Sequence, residues 1–310
     1  MNNKIAFVFP GQGSQEIGMA MDLYNSFIEC QAIFDRINDF CNFDLLKLCR
    51  EGPEDNLRST LYAQPALFAC SALCLTALKK SLNIKPFCVS GHSLGEISAL
   101  FAAEVIDLET TIQLIIKRAE LMNSCNEGAM SAVLGLDAES LEKVCLEYED
   151  INIANYNTPQ QQVISGKPEQ LKKISEFLKA EFNAKVIPLA VSGAFHSPMI
   201  KSANQSFIKI LDEINFKDAI CPVIQNVNAK AYTKKEEIKE NLKKQMTSSV
   251  LWVDSVNEMV SLGSETFIEL GSKQVLAGLI KKINKDIKVI NISDSKSLEK
   301  ALEVLQETVC

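Results

Sequence analysis

Ser93 is the central residue of a short segment whose residue types and spacing predict a catalytic nucleophile. It is the middle residue of the segment 91–95, Gly-His-Ser-Leu-Gly, which follows an apolar run at 87–89 and precedes a helix-forming stretch from Glu96 to Ala103. A serine in a sharp turn between a strand and a helix presents its hydroxyl above the edge of a sheet, and the flanking glycines let the backbone crowd together. The pattern predicts a nucleophile elbow, although strand-to-helix turns without chemistry share it.

A serine hydroxyl becomes a strong nucleophile only when a base accepts its proton, and the sequence contains two histidines. His92 precedes Ser93 directly, and neighbouring side chains diverge in such a turn, so His92 is poorly placed. His196 lies in a predicted strand-to-helix loop whose helix Ser197 can cap, and it is the candidate base. The sequence does not identify an acidic residue that would orient the imidazole. Either an acid or a backbone carbonyl could therefore take that role.

Arg118 lies on the apolar face of a predicted helix from Leu108 to Met122. At about 100° per residue it falls between Leu114 and Met122, away from the charged side chains of the opposite face. A guanidinium in that position needs an anion to offset its desolvation. Two interpretations stay open: a structural ion pair with a buried carboxylate of the protein, or a clamp for a carboxylate on the substrate.

A glycine-containing loop, Pro-Gly-Gln-Gly-Ser-Gln at 10–15, follows a predicted strand from Lys4 to Phe9. The next glycine after Gly13 is Gly18, five places on instead of three, so the dinucleotide fingerprint is not met. A loop at the carboxyl end of a strand can instead supply a backbone N–H to an oxyanion. With the N–H of Leu94 it would form the two-donor hole that acyl transfer uses.

The elements that must position these residues alternate between short strands and longer helices, which predicts an α/β fold around a largely parallel sheet. The predicted strands of the large part are Lys4 to Phe9, Phe87 to Ser90, Thr266 to Leu270 and Lys288 to Ile292. Its predicted helices include Leu61 to Leu78, Leu108 to Met122, Gln274 to Lys282 and Leu298 to Glu307.

Residues 123–193 follow a different order, β-α-β-β-α-β, which is that of a ferredoxin-like unit. We therefore predict a small subdomain at 123–193 inserted into a large subdomain formed by residues 1–122 and 194–310. Any cleft is expected between the two parts, where ligand sites tend to form.

Composition excludes several classes of protein. The 310 residues are 47% apolar and carry a formal net charge of −7, without the basic footprint of nucleic-acid binding. The apolar run at the amino terminus is too short for a signal peptide, and ten scattered cysteines without a zinc-binding pattern predict a reducing cytoplasm. Twenty uncharged residues between Arg58 and Lys79 include polar side chains, which favours a buried central helix over a membrane span.

Taken together, these segments resemble one family, the malonyl-coenzyme A:acyl carrier protein transacylases, and the related acyltransferase domains of fatty-acid and polyketide synthases. The resemblance extends over nearly the whole chain. The segments that carry it are 9–15, Gln64-Pro65-Ala66, 91–96, Arg118 to Met122, Asn155-Tyr156-Asn157 and Gly193 to Ser197.

The resemblance implies an α/β-hydrolase-like core with a parallel sheet plus an inserted ferredoxin-like small subdomain. It also implies that Ser93 forms the acyl ester, that His196 is the base and that Arg118 holds the malonyl carboxylate. Phe195 resembles the form found in malonyl-selective relatives.

Further positions are carried over by the same resemblance. Gln12 and Leu94 match the oxyanion-hole positions, and Gln245 matches a residue whose backbone carbonyl orients the histidine. His92 and Asn157 are expected to support the site. The segment 271–274, Gly-Ser-Lys-Gln, stands where many relatives have Gly-Pro-Gly-Lys, and we expect it to lie away from the chemistry.

The implied reaction moves the malonyl group from malonyl-CoA to the phosphopantetheine thiol of acyl carrier protein, through a malonyl-serine and in ping-pong order, for fatty acid biosynthesis. No metal or redox cofactor is expected, since coenzyme A and phosphopantetheine thioesters are substrates. We expect a cytoplasmic monomer without nucleic-acid or membrane partners. The alternatives are a serine esterase or thioesterase, a trans-acting polyketide synthase acyltransferase, and a non-catalytic carrier-binding protein.

Overall fold

The computed structural model describes residues 4–191 and 193–309. Ser192, beside the predicted histidine loop, and Cys310, one of the ten cysteines, lie outside the described residues. The strands are β1 (Ile5–Phe9), β2 (Cys88–Gly91), β3 (Ala129–Leu134), β4 (Ile151–Thr158), β5 (Gln161–Gly166), β6 (Lys185–Pro188), β7 (Val223–Ile224), β8 (Ala231–Tyr232), β9 (Thr266–Leu270) and β10 (Lys288–Ile292).

Helices surround these strands, and a short 3₁₀ turn at Pro198–Ile200 follows the histidine loop. The helices are α1 (Met21–Ser26), α2 (Ile28–Phe40), α3 (Leu45–Glu51), α4 (Glu54–Arg58), α5 (Thr60–Ser81), α6 (Leu94–Ala102), α7 (Leu108–Asn123), α8 (Ala138–Cys145), α9 (Pro168–Phe182), α10 (Lys201–Glu213), α11 (Lys235–Gln245), α12 (Trp252–Ser261), α13 (Val275–Ile283) and α14 (Ser295–Val309).

The large sheet has the strand order β10-β9-β1-β2-β7-β8. Its strands are parallel except β8, which pairs antiparallel with β7. Alternate residues of β1 contribute to different core clusters: Phe7 and Phe9 pack with α5 and α7, whereas Ala6 and Val8 pack with α12 and α13. Helices therefore cover both faces of the sheet, as the α/β prediction requires.

The register places the candidate residues at one edge of this sheet. Phe9 at the end of β1 is paired with Gly91 at the end of β2. Because the two strands are parallel, the glycine loop after β1 and the turn after β2 leave the sheet side by side. This is the edge at which open α/β sheets bind ligands.

Helix α5 is the long uncharged segment of the sequence. It is long and apolar enough to cross a membrane by length and composition, and 83% of its most apolar window is buried inside the protein. The prediction of a central buried helix is confirmed. Pro65 lies inside the helix, near its amino-terminal end, and removes one backbone hydrogen-bond donor there.

The second sheet is antiparallel and has the order β4-β5-β3-β6. With α8 and α9 it forms the β-α-β-β-α-β unit predicted from the sequence, and its strands begin and end within a few residues of the predicted bounds. Its own apolar cluster packs between the sheet and these helices. The exact boundary of the insertion at 123–193 stays a prediction.

A short set of hydrogen bonds joins β4 of the small sheet to residues 249–250 of the large part of the protein. The N–H of Val250 donates to the carbonyl of Ala154 at 2.8 Å, and the N–H of Tyr156 donates to the carbonyl of Val250 at 2.9 Å. The Ser249 hydroxyl donates to the carbonyl of Ile153 at 2.6 Å. The loop before α12 thus adds a short parallel bridge to β4.

Candidate active site

The backbone at Ser93 adopts an uncommon conformation, with φ 53° and ψ −107°. Close packing surrounds it, since a Cβ on Gly91 would lie 2.0 Å from the carbonyl carbon of Gly95 and a Cβ on Gly95 would lie 2.0 Å from the carbonyl oxygen of Phe9. Only glycine fits both positions. The strand β2, a sharp turn and helix α6 therefore form the elbow that the sequence predicts, with Ser93 at its tip.

His196 meets Ser93 across 103 residues of chain. Its Nε2 lies 2.7 Å from Ser93 Oγ, and its Nδ1 lies 3.0 Å from the carbonyl oxygens of both Gln245 and Ser248. Because carbonyl oxygens only accept hydrogen bonds, Nδ1 carries the proton and Nε2 presents its lone pair to the Ser93 hydroxyl. Two backbone carbonyls, and not an acid, orient this imidazole.

Burial, together with the neighbouring Arg118 and His92, lowers the pKa of His196 to about 3. The hydrogen bonds to the carbonyls of Gln245 and Ser248 act in the opposite direction. The imidazole is therefore neutral at physiological pH and can accept a proton.

Arg118 is buried, with only 1% of its surface exposed. Its Nη1 donates to Gln64 Oε1 at 2.7 Å, and its Nη2 donates to Gln245 Oε1 at 3.0 Å and to Ser93 Oγ at 3.1 Å. All three acceptors are neutral, and the salt bridges between described residues do not include Arg118. The arrangement disfavours the interpretation of Arg118 as one half of a structural ion pair.

One nitrogen of the Arg118 guanidinium makes no hydrogen bond to the described residues. This nitrogen is Nε, and it is buried. Leaving a buried donor of a charged group unpaired costs on the order of 1–3 kcal/mol, which an anionic ligand would recover. Burial lowers the pKa of Arg118 to about 10, while the Glu96 carboxylate acts in the opposite direction, so the guanidinium stays cationic at neutral pH.

The two residues expected to supply the oxyanion hole both lie beside Ser93. Leu94 is the first residue of α6, where N–H groups have no intrahelical acceptor. Gln12 lies in the glycine loop, and its side chain is held by the Thr60 hydroxyl at 3.2 Å. Both Gln12 and Leu94 line the cavity beside Ser93. The N–H of Ser93 itself is already used, because it donates to Asn226 Oδ1 at 2.8 Å.

A cavity of about 400 Å³ opens over these groups. It lies between the two parts of the protein, as predicted for the cleft, and is large enough for part of a thioester substrate. The large part contributes Gln12, Gln64, Ser93, Arg118 and His196, and the region of the small sheet contributes Met130, Asn155 and Leu189.

The segment 271–274 lies closer to the chemistry than expected. Lys273 lines the same cavity as Ser93, its Nζ donates to the carbonyl of Gln15 at 3.0 Å, and the Ser272 hydroxyl donates to the carbonyl of Ser14. The expectation that this segment lies away from the site was wrong. Since β9 is parallel to β1, the loop that follows β9 leaves the sheet beside the glycine loop and braces it.

His92 is directed away from the Ser93 hydroxyl, as the sequence argument expected. Its Nε2 lies 2.8 Å from Asn157 Oδ1 at the end of β4, and its ring contacts Trp252 with 5.7 Å between ring centroids. Burial lowers the pKa of His92, and the hydrogen bond with Asn157 raises it. His92 and Asn157 thus connect the elbow to the small sheet.

Residues 6–300 match the family described as acyl transferase domain. The chain belongs to the acyl transferase family. It is 42% identical to the malonyl CoA-acyl carrier protein transacylase of Bacillus subtilis, with 98% of each chain covered. It is also 42% identical to a polyketide biosynthesis malonyl CoA-acyl carrier protein transacylase of the same organism, over 91% of this chain and 98% of the relative.

Solved acyl transferase structures agree with the fold. A malonyl-transacylase determined in complex with a type II PKS acyl-carrier protein superimposes with a TM-score of 0.93 and 35% identity, covering 97% of this chain and 99% of its own. The combination of a parallel-rich sheet and a separate antiparallel sheet is therefore the fold of these transacylases.

Sequence reasoning missed three residues of this acyl transferase site: Ser248, Glu96 and Asn226. Ser248 orients His196 through its main chain, which leaves no mark on residue type. Asn226 did carry a signal, because it is the second of two polar residues that follow the apolar run at 222–224, at the position where a parallel strand ends. Glu96 stands within the elbow motif, but its buried partners could not be inferred from the chain alone.

Proposed function

We propose that the chain transfers the malonyl group from malonyl-CoA to the phosphopantetheine thiol of acyl carrier protein, and so supplies fatty acid biosynthesis. The observation that carries the proposal is the environment of Ser93 Oγ, which lies 2.7 Å from a neutral imidazole nitrogen and 3.1 Å from a buried guanidinium. The first group can take a proton and the second can hold an anion. The names of the relatives at 42% identity support this assignment.

The acylation half-reaction follows from this geometry. His196 Nε2 accepts the proton of Ser93 as Oγ attacks the thioester carbonyl, and the N–H groups of Gln12 and Leu94 stabilise the oxyanion. The imidazolium then gives the proton to the sulfur as the C–S bond breaks. Coenzyme A leaves and malonyl-Ser93 remains. The carrier thiol repeats these steps in reverse order, with His196 taking the thiol proton.

Arg118 selects the acyl group in this proposal. Its Nε–H has no acceptor among the described residues, and a malonyl carboxylate would supply one. The guanidinium is buried beside Ser93, so it would hold the carboxylate at one end of the malonyl group while the carbonyl at the other end faces the nucleophile. An acetyl group cannot satisfy this donor.

We propose that no metal or redox cofactor takes part. The proton has an acceptor in His196, and the developing negative charge has donors in the backbone, so each charge that forms is met by a group of the chain. A cytoplasmic location and a monomeric state also remain proposals. The nine described cysteines are unpaired and mostly buried, which fits a reducing compartment.

The test is mass spectrometry of the intact protein after brief exposure to malonyl-CoA, followed by peptide mapping. We expect one malonyl adduct on Ser93, its absence in Ser93→Ala, and its retention in the control Ser124→Ala, an exposed residue. An adduct on another residue, or full carrier malonylation by Ser93→Ala, would refute the proposal. The second result would mean that another residue is the nucleophile, whereas a wild-type protein that binds the carrier without forming an adduct or transferring malonyl would be a non-catalytic carrier-binding protein.

Two assays separate the remaining alternatives. Release of free malonate faster than transfer to holo carrier protein would indicate a thioesterase. The polyketide transacylase of Bacillus subtilis is as similar to this chain, at 42% identity, as the other relative from that organism. Carrier proteins of fatty-acid and polyketide type should therefore be compared under the same conditions. A strong preference for the polyketide carrier would reassign the pathway and leave the chemistry unchanged.

A further inference from the structure

The side chain of Asn226 spans the turn that carries the nucleophile. Its Nδ2 donates to the carbonyl of Gly91 at 2.7 Å, and its Oδ1 accepts from the N–H of Ser93 at 2.8 Å. Both bonds are satisfied by only one orientation of the carboxamide. Asn226 is fully buried, so water does not compete for either contact.

These two bonds continue the pairing of β2 with β7 beyond the point where the strands end. The last paired residues are Ser90 and Ile224. After them the backbone of β2 turns sharply into the elbow, and a side-chain amide takes the place of the next peptide group. It holds the peptide groups on both sides of His92.

Glu96 fixes Asn226 in place. Its Oε2 accepts from the main-chain N–H of Asn226 at 2.9 Å, and its Oε1 accepts from Gln225 Nε2 at 3.2 Å. Glu96 lies in the first turn of α6, three residues after Ser93, and is fully buried. The carboxylate therefore ties the start of the helix to the loop after β7.

The Glu96 carboxylate also lies close to Gln245, whose main-chain carbonyl orients His196. Gln245 Nε2 donates to the carbonyl of Ser93 at 2.8 Å and lies 3.4 Å from Glu96 Oε2, while the carbonyl of Gln245 accepts from His196. One buried network thus connects the elbow backbone, the loop after β7 and the imidazole.

We propose that Asn226 is a positioning residue that holds Ser93 in its reactive backbone conformation and, by occupying the N–H of Ser93, leaves the N–H of Leu94 as the elbow's donor to the oxyanion. This inference rests on the proposed role of Ser93 as the nucleophile. Glu96 supports it by anchoring the main chain of Asn226.

The experiment compares Asn226→Ala and the nearly isosteric Asn226→Asp with wild type. An aspartate keeps an acceptor for the Ser93 N–H but cannot donate to the Gly91 carbonyl when ionised. The matched control is Asn228→Ala, two residues along the same loop, whose Nδ2 donates to the Tyr232 hydroxyl at 2.9 Å outside the elbow.

Two rates are measured on the folded protein: single-turnover acylation by malonyl-CoA, and labelling of Ser93 by phenylmethylsulfonyl fluoride. We expect both Asn226 variants to lose about tenfold or more in each rate, with little change in KM for malonyl-CoA, because misplacing the nucleophile slows the chemical step. Asn228→Ala should stay near wild type.

If Asn226→Asp is labelled and acylated at rates within about twofold of wild type, the inference is wrong. It is also wrong if the rates of the variants fall only in proportion to the folded fraction measured by circular dichroism. If wild type labels with the fluoride but forms no malonyl adduct, the proposed function fails and the positioning role is still decided by the labelling rates.

Discussion

The carbonyl oxygen of Ser248 lies as close to His196 Nδ1 as that of Gln245, at 3.0 Å. The imidazole is therefore oriented by two neutral dipoles where a triad enzyme would place a carboxylate. Without a neighbouring anion to favour the imidazolium, burial and the Arg118 charge keep the pKa of His196 near 3.

This relationship predicts the pH dependence of acylation. A lowered pKa means that the imidazole loses its proton at lower pH, so the neutral base persists into the acid range. We expect the acylation rate with malonyl-CoA to be constant from about pH 5 to pH 8. Stopped-flow release of coenzyme A measures it, with circular dichroism to confirm that the protein stays folded. An acid limb centred near 6.5 would contradict this explanation.

Removing the Arg118 charge should shift the acid limb of the pH profile of acylation. Arg118 is the second-largest cause that lowers the pKa of His196, after burial. In Arg118→Gln the pKa of His196 should therefore rise toward the usual histidine value, and the acid limb should shift to higher pH. An acetyl thioester is the suitable substrate, since its binding does not depend on the guanidinium. An unchanged limb would show that burial alone sets the pKa.

Arg118→Gln should also change acyl selectivity. We expect the kcat/KM for malonyl transfer to fall on the order of 10²-fold, because hydrogen bonds to charged groups contribute about 1.5–3 kcal/mol, and the kcat/KM for acetyl transfer to fall much less. The control is Lys117→Gln, the adjacent exposed residue that pairs with Glu120. Equal losses for malonyl and acetyl groups would reject a carboxylate-specific role.

Two glycine substitutions, one in the tightly packed elbow and one at an open position of α13, should have opposite effects on stability. In Gly95→Ala the new Cβ would lie 2.0 Å from the carbonyl oxygen of Phe9, so the free energy of unfolding should fall by about 2 kcal/mol or more. In Gly278→Ala, within α13, nothing lies within 4 Å of the new Cβ, and stability should rise by about 0.5–1 kcal/mol. Urea denaturation measures both, and a stable, active Gly95→Ala would contradict the packing described here.

Phe195 predicts the width of the acyl pocket. It lines the cavity with only 4% of its surface exposed. We expect Phe195→Ser to raise the ratio of methylmalonyl to malonyl transfer, because space for a branching methyl group opens, and to lower stability by about 3 kcal/mol or more through the lost apolar contacts. Competition between the two coenzyme A thioesters measures the ratio. A ratio equal to that of wild type would place the methyl group elsewhere.

The sequence was sufficient for the parts of the site that depend on local pattern. The elbow follows from a strand, two glycines and a helix, and the burial of Arg118 follows from helical periodicity. The succession of strands and helices in the small subdomain, β-α-β-β-α-β, also follows from the pattern of short elements along the chain.

The rest depends on segments that meet only in the folded chain. The partners of Arg118 come from α5 and α11, and Asn226 reaches Ser93 across 133 residues. The strands β7 and β8 are two residues long, so no periodicity could reveal them. The placement of Lys273 was missed because it follows from the parallel pairing of β9 with β1, which brings distant loops together.

The bridge between β4 and Val250 constrains how a thioester reaches the nucleophile. Val250 is two residues from Ser248, whose carbonyl orients His196, and it is held to β4 by hydrogen bonds in both directions. If the small sheet swung outward like a lid, it would pull on the loop that aims the imidazole and disarm the enzyme at the moment of entry. We therefore expect the pantetheine arm to enter through an opening that does not require the small sheet to move, with that sheet as one wall of the entrance.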